Sequence, residues 1–213
     1  YIKINMYTLR NLSKIYHPEK NYLKLVEHIL ESGSKEKSRN GYVYTHIGSA
    51  MRFQLKNKTM PILTSKKMAW KSCLKELLWF ISGETDNTIL NNQEVKIWNE
   101  NGNREFLDSR GLYDNIEGDL GPIYGHQWRH FNAPYLDCDF DYKGKGVDQL
   151  TNIINSLKDE NEKTSRRLVM SAWNPCQLNQ MALPPCHVLT QFHVTENNKL
   201  IGYIFDLRNN PGG

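Results

Sequence analysis

The stretch Leu183-Pro184-Pro185-Cys186-His187, followed by Val188-Leu189-Thr190-Gln191-Phe192-His193-Val194, contains the strongest local signals in this sequence. Apolar and polar residues alternate from Val188 onward, which predicts a β-strand, and the two prolines stiffen the backbone that leads into it. A thiol held at the entry to a sheet is well placed to act as a nucleophile. A cysteine taken alone is more often a small buried hydrophobic residue, so the choice depends on the rest of the chain.

Further strands and helices are predicted on both sides of this stretch. Helical spacing of apolar residues covers 22–30, 70–81 and 147–157, with ends at Gly33 and Gly83 and a possible N-cap at Asp148. Strand-like alternation covers 50–55, 168–173, 188–194 and 200–207, and the middle of the chain is rich in loop signals. Mixed helices and strands, with the late strands in succession, predict an α+β fold. We expect one domain over residues 1–213 because no linker interrupts the chain.

Composition excludes several classes of protein. The net charge is only +4, and the positive residues are scattered over the 213 residues apart from short clusters. This distribution favours local anion sites over a nucleic-acid-binding face. The four cysteines are widely spaced, so we expect reduced thiols in a cytoplasmic protein, with no disulfide framework and no metal site. The apolar runs are too short to cross a membrane.

Two groups of charged residues are candidates for chemistry. Glu76 follows the helical pattern beside Trp79 and Phe80, where desolvation would raise its pKa and suit it to hold or pass protons. A solvated helix face is the alternative for this residue. Arg166 and Arg167 could bind a phosphate with two guanidinium groups, although a solvated charge pair is equally compatible with the pattern.

Four more candidates lie in turns and loops. Arg39 occupies the turn Ser38-Arg39-Asn40-Gly41 and is a third possible anion ligand. Trp98, Asn101 and Tyr124 lie in loops that contain glycine, where aromatic rings can stack on a flat heterocycle. The alternative is that these aromatic residues simply cover the core.

Considered together and in order, these motifs resemble the thymidylate synthase family over nearly the whole chain. The matching segments are YHPE at 16–19, PILTSKK at 61–67, ELLWFI at 76–81, REFLD at 104–108, DLGPIYG at 119–125, QWRHF at 127–131, GVDQL at 146–150 and QMALPPCH at 180–187. The resemblance implies a mixed β-sheet flanked by helices, with a sheet face used for dimerisation. It also implies reductive methylation of dUMP to dTMP, with methylenetetrahydrofolate as the one-carbon and hydride donor.

The resemblance assigns a role to each candidate residue. Cys186 would attack C6 of the uracil, Glu76 would organise water for proton transfers, and Tyr124 would assist removal of the C5 proton. The nucleotide-binding residues would be Arg39, Arg166, Arg167 and His187, and the folate-binding residues would be Trp98 and Asn101. In this family the arginine pair reaches into the neighbouring subunit's site, which implies a homodimer.

The chain departs from the family pattern near its end. After the nucleophile strand the family has Tyr-Gln-Arg-Ser, and an ungapped alignment places Phe205-Asp206-Leu207-Arg208 there. Leu207 therefore replaces a phosphate-binding arginine, unless Arg208 substitutes after a shift of one residue. Asn210 replaces an acidic residue of the folate site.

These departures leave three functions open. We expect the chain to be incomplete at its carboxyl end, and a fused reductase domain before Tyr1 is compatible with the sequence. The 213 residues alone are then expected to lack measurable synthase activity. A pyrimidine-nucleotide hydroxymethylase of the same fold and an inactive structural or binding homologue are the alternatives to a synthase.

Overall fold

The structure is a computed structural model that describes residues 17–38, 41–55, 59–195 and 197–207. The described residues form two compact units, which meet in the sequence between Ala69 and Trp70. The helices are α1 (Lys20–Ser32), α2 (Trp70–Ser82), α3 (Asn87–Asn91), α4 (Asn99–Gly102), α5 (Arg104–Ser109), α6 (Tyr124–His130) and α7 (Gln149–Lys158). The strands are β1 (Ser34–Ser38), β2 (Gly41–Thr45), β3 (Val169–Ser171), β4 (His187–Val194) and β5 (Leu200–Asp206).

The first unit contains α1 and an antiparallel pair of strands, β1 and β2. The predicted helix and its end are confirmed, since the Gly33 N–H donates to the Ile29 carbonyl at 2.8 Å. The predicted strand over 50–55 is wrong, because these residues are exposed and have no regular secondary structure. Alternation alone does not specify a pairing partner, and strand formation depends on one.

The second unit has its core around α2 and α6. The predicted helix over 70–81 is confirmed as α2, which buries Trp79 and Phe80. The predicted N-cap of α7 is also confirmed, because the Asp148 carboxylate accepts the Thr151 N–H at 2.9 Å. This bond satisfies one of the donors that the first turn of a helix leaves without a backbone partner.

Short helices occupy much of the region that the sequence predicted as loop. The helices α3 to α6 have four to seven residues each, too few to show a helical apolar repeat. Local capping nonetheless specifies two of them. The Asp86 carboxylate accepts the Thr88 N–H before α3, and the Asn103 side chain accepts the Phe106 N–H before α5.

The strands β3, β4 and β5 form a sheet in that order, with antiparallel pairing throughout. His187 lies opposite Asp206, and a register shift separates His187 from Leu189. Helices with small antiparallel sheets confirm the α+β class. The mixed sheet that the resemblance implied is not seen in the described residues, where both sheets are antiparallel. None of the helices in the described part of the chain is long and apolar enough to span a membrane.

Candidate active site around Cys186

Cys186 is half-buried immediately before β4, where hydrogen bonds hold its backbone from two sides. Its N–H donates to the Tyr124 phenol oxygen at 2.6 Å. Its carbonyl accepts the Leu207 N–H at 2.9 Å, at the end of β5. The structure therefore holds the backbone of Cys186 at the entry to a sheet, as the sequence predicted.

Tyr124 is the first residue of α6 and is 5% exposed. Its oxygen also accepts the His187 N–H, at 3.3 Å. Burial raises the pKa of Tyr124 to about 12, although the two backbone donors from Cys186 and His187 oppose this rise. The side chain is consequently a neutral phenol at neutral pH.

The segment that precedes Tyr124 is anchored by the buried carboxylate of Asp119. This carboxylate accepts the Gly121 N–H at 2.9 Å and the Tyr135 hydroxyl at 2.6 Å. Burial raises the pKa of Asp119. Gly121 has a φ of +74°, and a Cβ there would lie 2.0 Å from the Gln180 carbonyl oxygen, so only glycine fits.

Glu76 is half-buried on α2 and accepts a hydrogen bond from the Trp98 indole nitrogen at 2.7 Å. The sequence analysis considered Glu76 either as a desolvated carboxylate or as part of a solvated helix face. It did not predict Trp98 as a partner, because Trp98 lies outside this helix. Phe80 joins the pair to the cysteine, since its ring lies 6.4 Å from Trp98 and 4.5 Å from Tyr124, centroid to centroid. One continuous layer of packed side chains thus connects the carboxylate to Cys186.

The predicted folate-side residues lie together at the start of α4. Trp98 is 6% exposed and directly precedes this helix. Asn101 is half-buried within it, and its N–H donates to the Trp98 carbonyl at 3.0 Å. Trp98 is therefore mainly a core residue. Its indole nitrogen also contacts Glu76, so its place in the core is compatible with a role in the site.

Two of the predicted phosphate ligands lie at the surface of the described part of the chain. Arg166 and Arg167 are exposed just before β3. Their backbones are held by side chains, since Gln191 donates to the Arg166 carbonyl at 2.7 Å and the Arg167 N–H donates to Ser165 at 3.2 Å. Arg39 lies outside the described residues.

His187 contacts a carboxylate that the sequence analysis missed. Its Nε2 lies 3.1 Å from Oδ2 of Asp206, across the β4–β5 pair. The His187 ring centroid is 6.0 Å from that of Tyr124. The ungapped alignment placed Asp206 in the altered segment, but only the strand register shows which residue it faces. In the described part of the chain, no three or more His, Cys, Asp or Glu side chains are grouped to hold a metal ion.

The comparisons with known proteins identify the family of this chain. The thymidylate synthase family profile matches residues 20–206. The chain is 50% identical over 180 residues to a probable thymidylate synthase of Schizosaccharomyces pombe, covering 84% of this chain and 28% of that protein. It is 49% identical over 183 residues to a thymidylate synthase of Ascaris suum, covering 85% and 62% respectively. It is also 47% identical over 186 residues to a bifunctional dihydrofolate reductase-thymidylate synthase of Leishmania amazonensis, covering 86% and 35%.

The chain spans less than two thirds of the length of each of these relatives. The match nevertheless includes the whole of α2, α6, β4 and β5, and with them Glu76, Tyr124, Cys186 and Asp206. On the extent of the family match and of these identities, this chain belongs to the thymidylate synthase family.

Proposed function

We propose that this chain supplies the active site of an enzyme that converts dUMP to dTMP, with methylenetetrahydrofolate as cosubstrate. The observation that supports this most strongly is the placement of Cys186. Its thiol is half-buried at the start of a strand, and its backbone is fixed by Tyr124 and by the Leu207 N–H. A nucleophile needs this kind of fixed approach, because small displacements from the reacting atom are costly in rate.

Cys186 reacts as a thiolate with C6 of the uracil ring. The new S–C6 bond moves an electron pair toward C5 and O4, so C5 becomes nucleophilic and bonds to the one-carbon unit. The cosubstrate supplies that carbon together with a hydride. Loss of the C5 proton and cleavage of the bond between the transferred carbon and the folate nitrogen leave a methylene group on C5. A hydride from the folate reduces this group to methyl as the thiolate leaves C6, which restores the ring double bond, releases the enzyme and leaves dihydrofolate.

Glu76 and Tyr124 handle the protons of this reaction in our proposal. The Glu76 carboxylate, oriented by the Trp98 indole at 2.7 Å, holds the water that exchanges protons with the base. Tyr124 has a pKa of about 12, so it assists as a neutral hydroxyl that relays a proton through water and not as an ionised base.

The remaining residues bind the two substrates and build the dimer in this proposal. Arg39, Arg166 and Arg167 bind the nucleotide phosphate, His187 supports the nucleotide, and Trp98 and Asn101 line the folate site. The exposure of both strand-edge arginines supports a homodimer in which they reach the partner subunit's site. We further propose that the chain is one thymidylate synthase-like domain of a cytoplasmic protein that binds neither membranes nor specific nucleic acids.

The test uses the full-length protein with dUMP tritiated at C5 and methylenetetrahydrofolate. A synthase releases tritium and forms dTMP and dihydrofolate in equal amounts. A hydroxymethylase would release tritium but form the hydroxymethyl nucleotide without dihydrofolate. A binding homologue would retain the tritium. Cys186→Ser should abolish release, whereas Cys176→Ser, which changes an exposed thiol, should leave it unchanged.

A further inference from the structure

Asp119 is a buried carboxylate that has no assigned part in the proposed reaction. The residue is 1% exposed, and a carboxyl group in the interior costs free energy unless hydrogen bonds replace its lost water. Its Oδ1 atom accepts the Gly121 N–H at 2.9 Å and the Tyr135 hydroxyl at 2.6 Å. The carboxylate also accepts the Cys138 N–H. Three donors from two segments thus hold one buried carboxylate.

The bond to Gly121 gives this carboxylate control of a tight turn. An aspartate side chain that accepts the N–H two residues further on is a common way to stabilise a turn. The turn continues with the Ile123 N–H, which donates to the Gly121 carbonyl at 2.7 Å. Tyr124 follows directly and begins α6. A shift of the turn therefore shifts the start of α6 and the phenol attached to it.

The same turn lies against the segment that carries the cysteine. The Leu120 carbonyl accepts the Ala182 N–H at 3.0 Å. The Tyr124 oxygen accepts the Cys186 N–H at 2.6 Å. These two bonds are four residues apart in both segments, so they fix the position and the direction of one segment relative to the other.

We propose that Asp119 is a positioning residue that sets where the Tyr124 hydroxyl lies when the C5 proton is removed. This inference rests on the proton-transfer role proposed for Tyr124. Asp119 itself makes and breaks no covalent bond: it fixes the turn, and the turn fixes the phenol against the Cys186 segment. A displacement of about 1 Å in such a placement costs up to about a hundredfold in rate.

The competing explanation is that Asp119 only stabilises the fold. Loss of a purely structural bond lowers the fraction of folded protein, which slows every step of the reaction by the same factor. Loss of a positioning bond slows proton removal selectively, because attack by Cys186 depends on a backbone that the Leu207 N–H also holds, at 2.9 Å. The two explanations therefore differ in the ratio of two rates.

The test measures both rates in the full-length protein. Tritium release from dUMP labelled at C5 reports proton removal, and adduct formation with 5-fluoro-dUMP reports attack by Cys186, because fluorine stops the reaction before that removal. Asp119→Ala should slow tritium release about ten- to a hundredfold and adduct formation less than about threefold. Asp119→Asn keeps an acceptor for the Gly121 N–H and should recover most of the release. Asp114→Ala, at an exposed aspartate, is the matched control and should change neither rate.

A double-mutant cycle determines whether the effect acts through the phenol. In a Tyr124→Phe background, Asp119→Ala should cause no further loss of tritium release. Equal slowing of release and adduct formation would overturn the proposal, as would an undiminished loss without the hydroxyl. If thermal melting shows that Asp119→Ala does not fold, Tyr135→Phe replaces it, because it removes one donor to the carboxylate. This variant should slow release at least about threefold more than adduct formation.

Hydrogen exchange measured by NMR tests the positioning without substrate. The Cys186 N–H donates to the Tyr124 oxygen, whereas the Phe192 N–H, on the same strand, donates to the Leu168 carbonyl at 2.8 Å and is the reference. Asp119→Ala should speed exchange at Cys186 about tenfold more than at Phe192. Equal acceleration at both amides would overturn the proposal even in a protein that methylates dUMP. A protein that fails to methylate dUMP but shows the selective acceleration would refute the proposed function and retain the positioning by Asp119.

Discussion

Tyr124→Phe removes one oxygen atom and leaves two backbone donors of the cysteine segment without their acceptor. The ring can stay in place, because its packing against Phe80 at 4.5 Å does not involve the hydroxyl. In the unchanged protein the phenol oxygen accepts the Cys186 N–H at 2.6 Å and the His187 N–H at 3.3 Å. The substitution removes both hydrogen bonds. An unsatisfied buried donor costs about 1–3 kcal/mol, so we expect the free energy of unfolding to fall by that amount.

Urea unfolding followed by tryptophan fluorescence measures this loss, since all five tryptophans lie in the second unit, as does Tyr124. Tyr113→Phe is the matched control, because Tyr113 is 73% exposed and should change stability by less than about 0.5 kcal/mol. Hydrogen exchange adds a local measurement, in which the peptide containing Cys186 should lose protection. A Tyr124→Phe protein as stable as the Tyr113→Phe protein, with unchanged exchange at Cys186, would refute the role of this phenol.

Three further predictions follow from charges and hydrogen bonds in the second unit. Burial lowers the pKa of His126 to about 4, so below about pH 6.5 the unfolded chain takes up a proton that the folded chain does not. Denaturant unfolding should therefore show a loss of stability that approaches about 3 kcal/mol at pH 4. His126→Phe should reduce this dependence of the unfolding free energy on pH. Arg129→Lys should lower the free energy of unfolding by about 1–3 kcal/mol. The guanidinium group donates two hydrogen bonds to the Asp148 carboxylate, at 3.1 and 2.9 Å, and a third to the Ile81 carbonyl at 2.8 Å, and lysine cannot make all three. Leu207→Arg should tighten dUMP binding about ten- to a hundredfold in calorimetry without affecting deoxyuridine binding. An equal gain from Leu200→Arg, at the other end of β5, would contradict this prediction.

The sequence predicted those elements whose signals are local. The helix α2 has a long apolar repeat followed by glycine, and α7 begins behind an aspartate that caps it, so both were predicted within two residues of their observed bounds. The strand β4 was predicted for the same reason, because alternation extends from Val188 to Val194, and the observed strand begins one residue earlier. The thiol at its start therefore became a candidate before any contact was known.

The contacts that complete the site could not be predicted in this way. Trp98 reaches Glu76 from a position 22 residues away, and Asp206 reaches His187 only because β4 and β5 pair in one particular register. The Tyr124 oxygen spans 62 residues to the Cys186 amide. Such partners are determined by tertiary structure, and the motif resemblance identified the positions without identifying the bonds between them.

The most direct test of the central claim, that Cys186 is the nucleophile, is mass spectrometry of the covalent adduct with 5-fluoro-dUMP. Fluorine at C5 cannot leave as a proton does, so the reaction stops once the enzyme is joined to the nucleotide and the one-carbon unit. We predict that the full-length protein, incubated with 5-fluoro-dUMP and methylenetetrahydrofolate, gives one adduct, on the peptide that contains Cys186. An adduct on Cys73, Cys138 or Cys176, or no adduct at saturating nucleotide, would contradict the account.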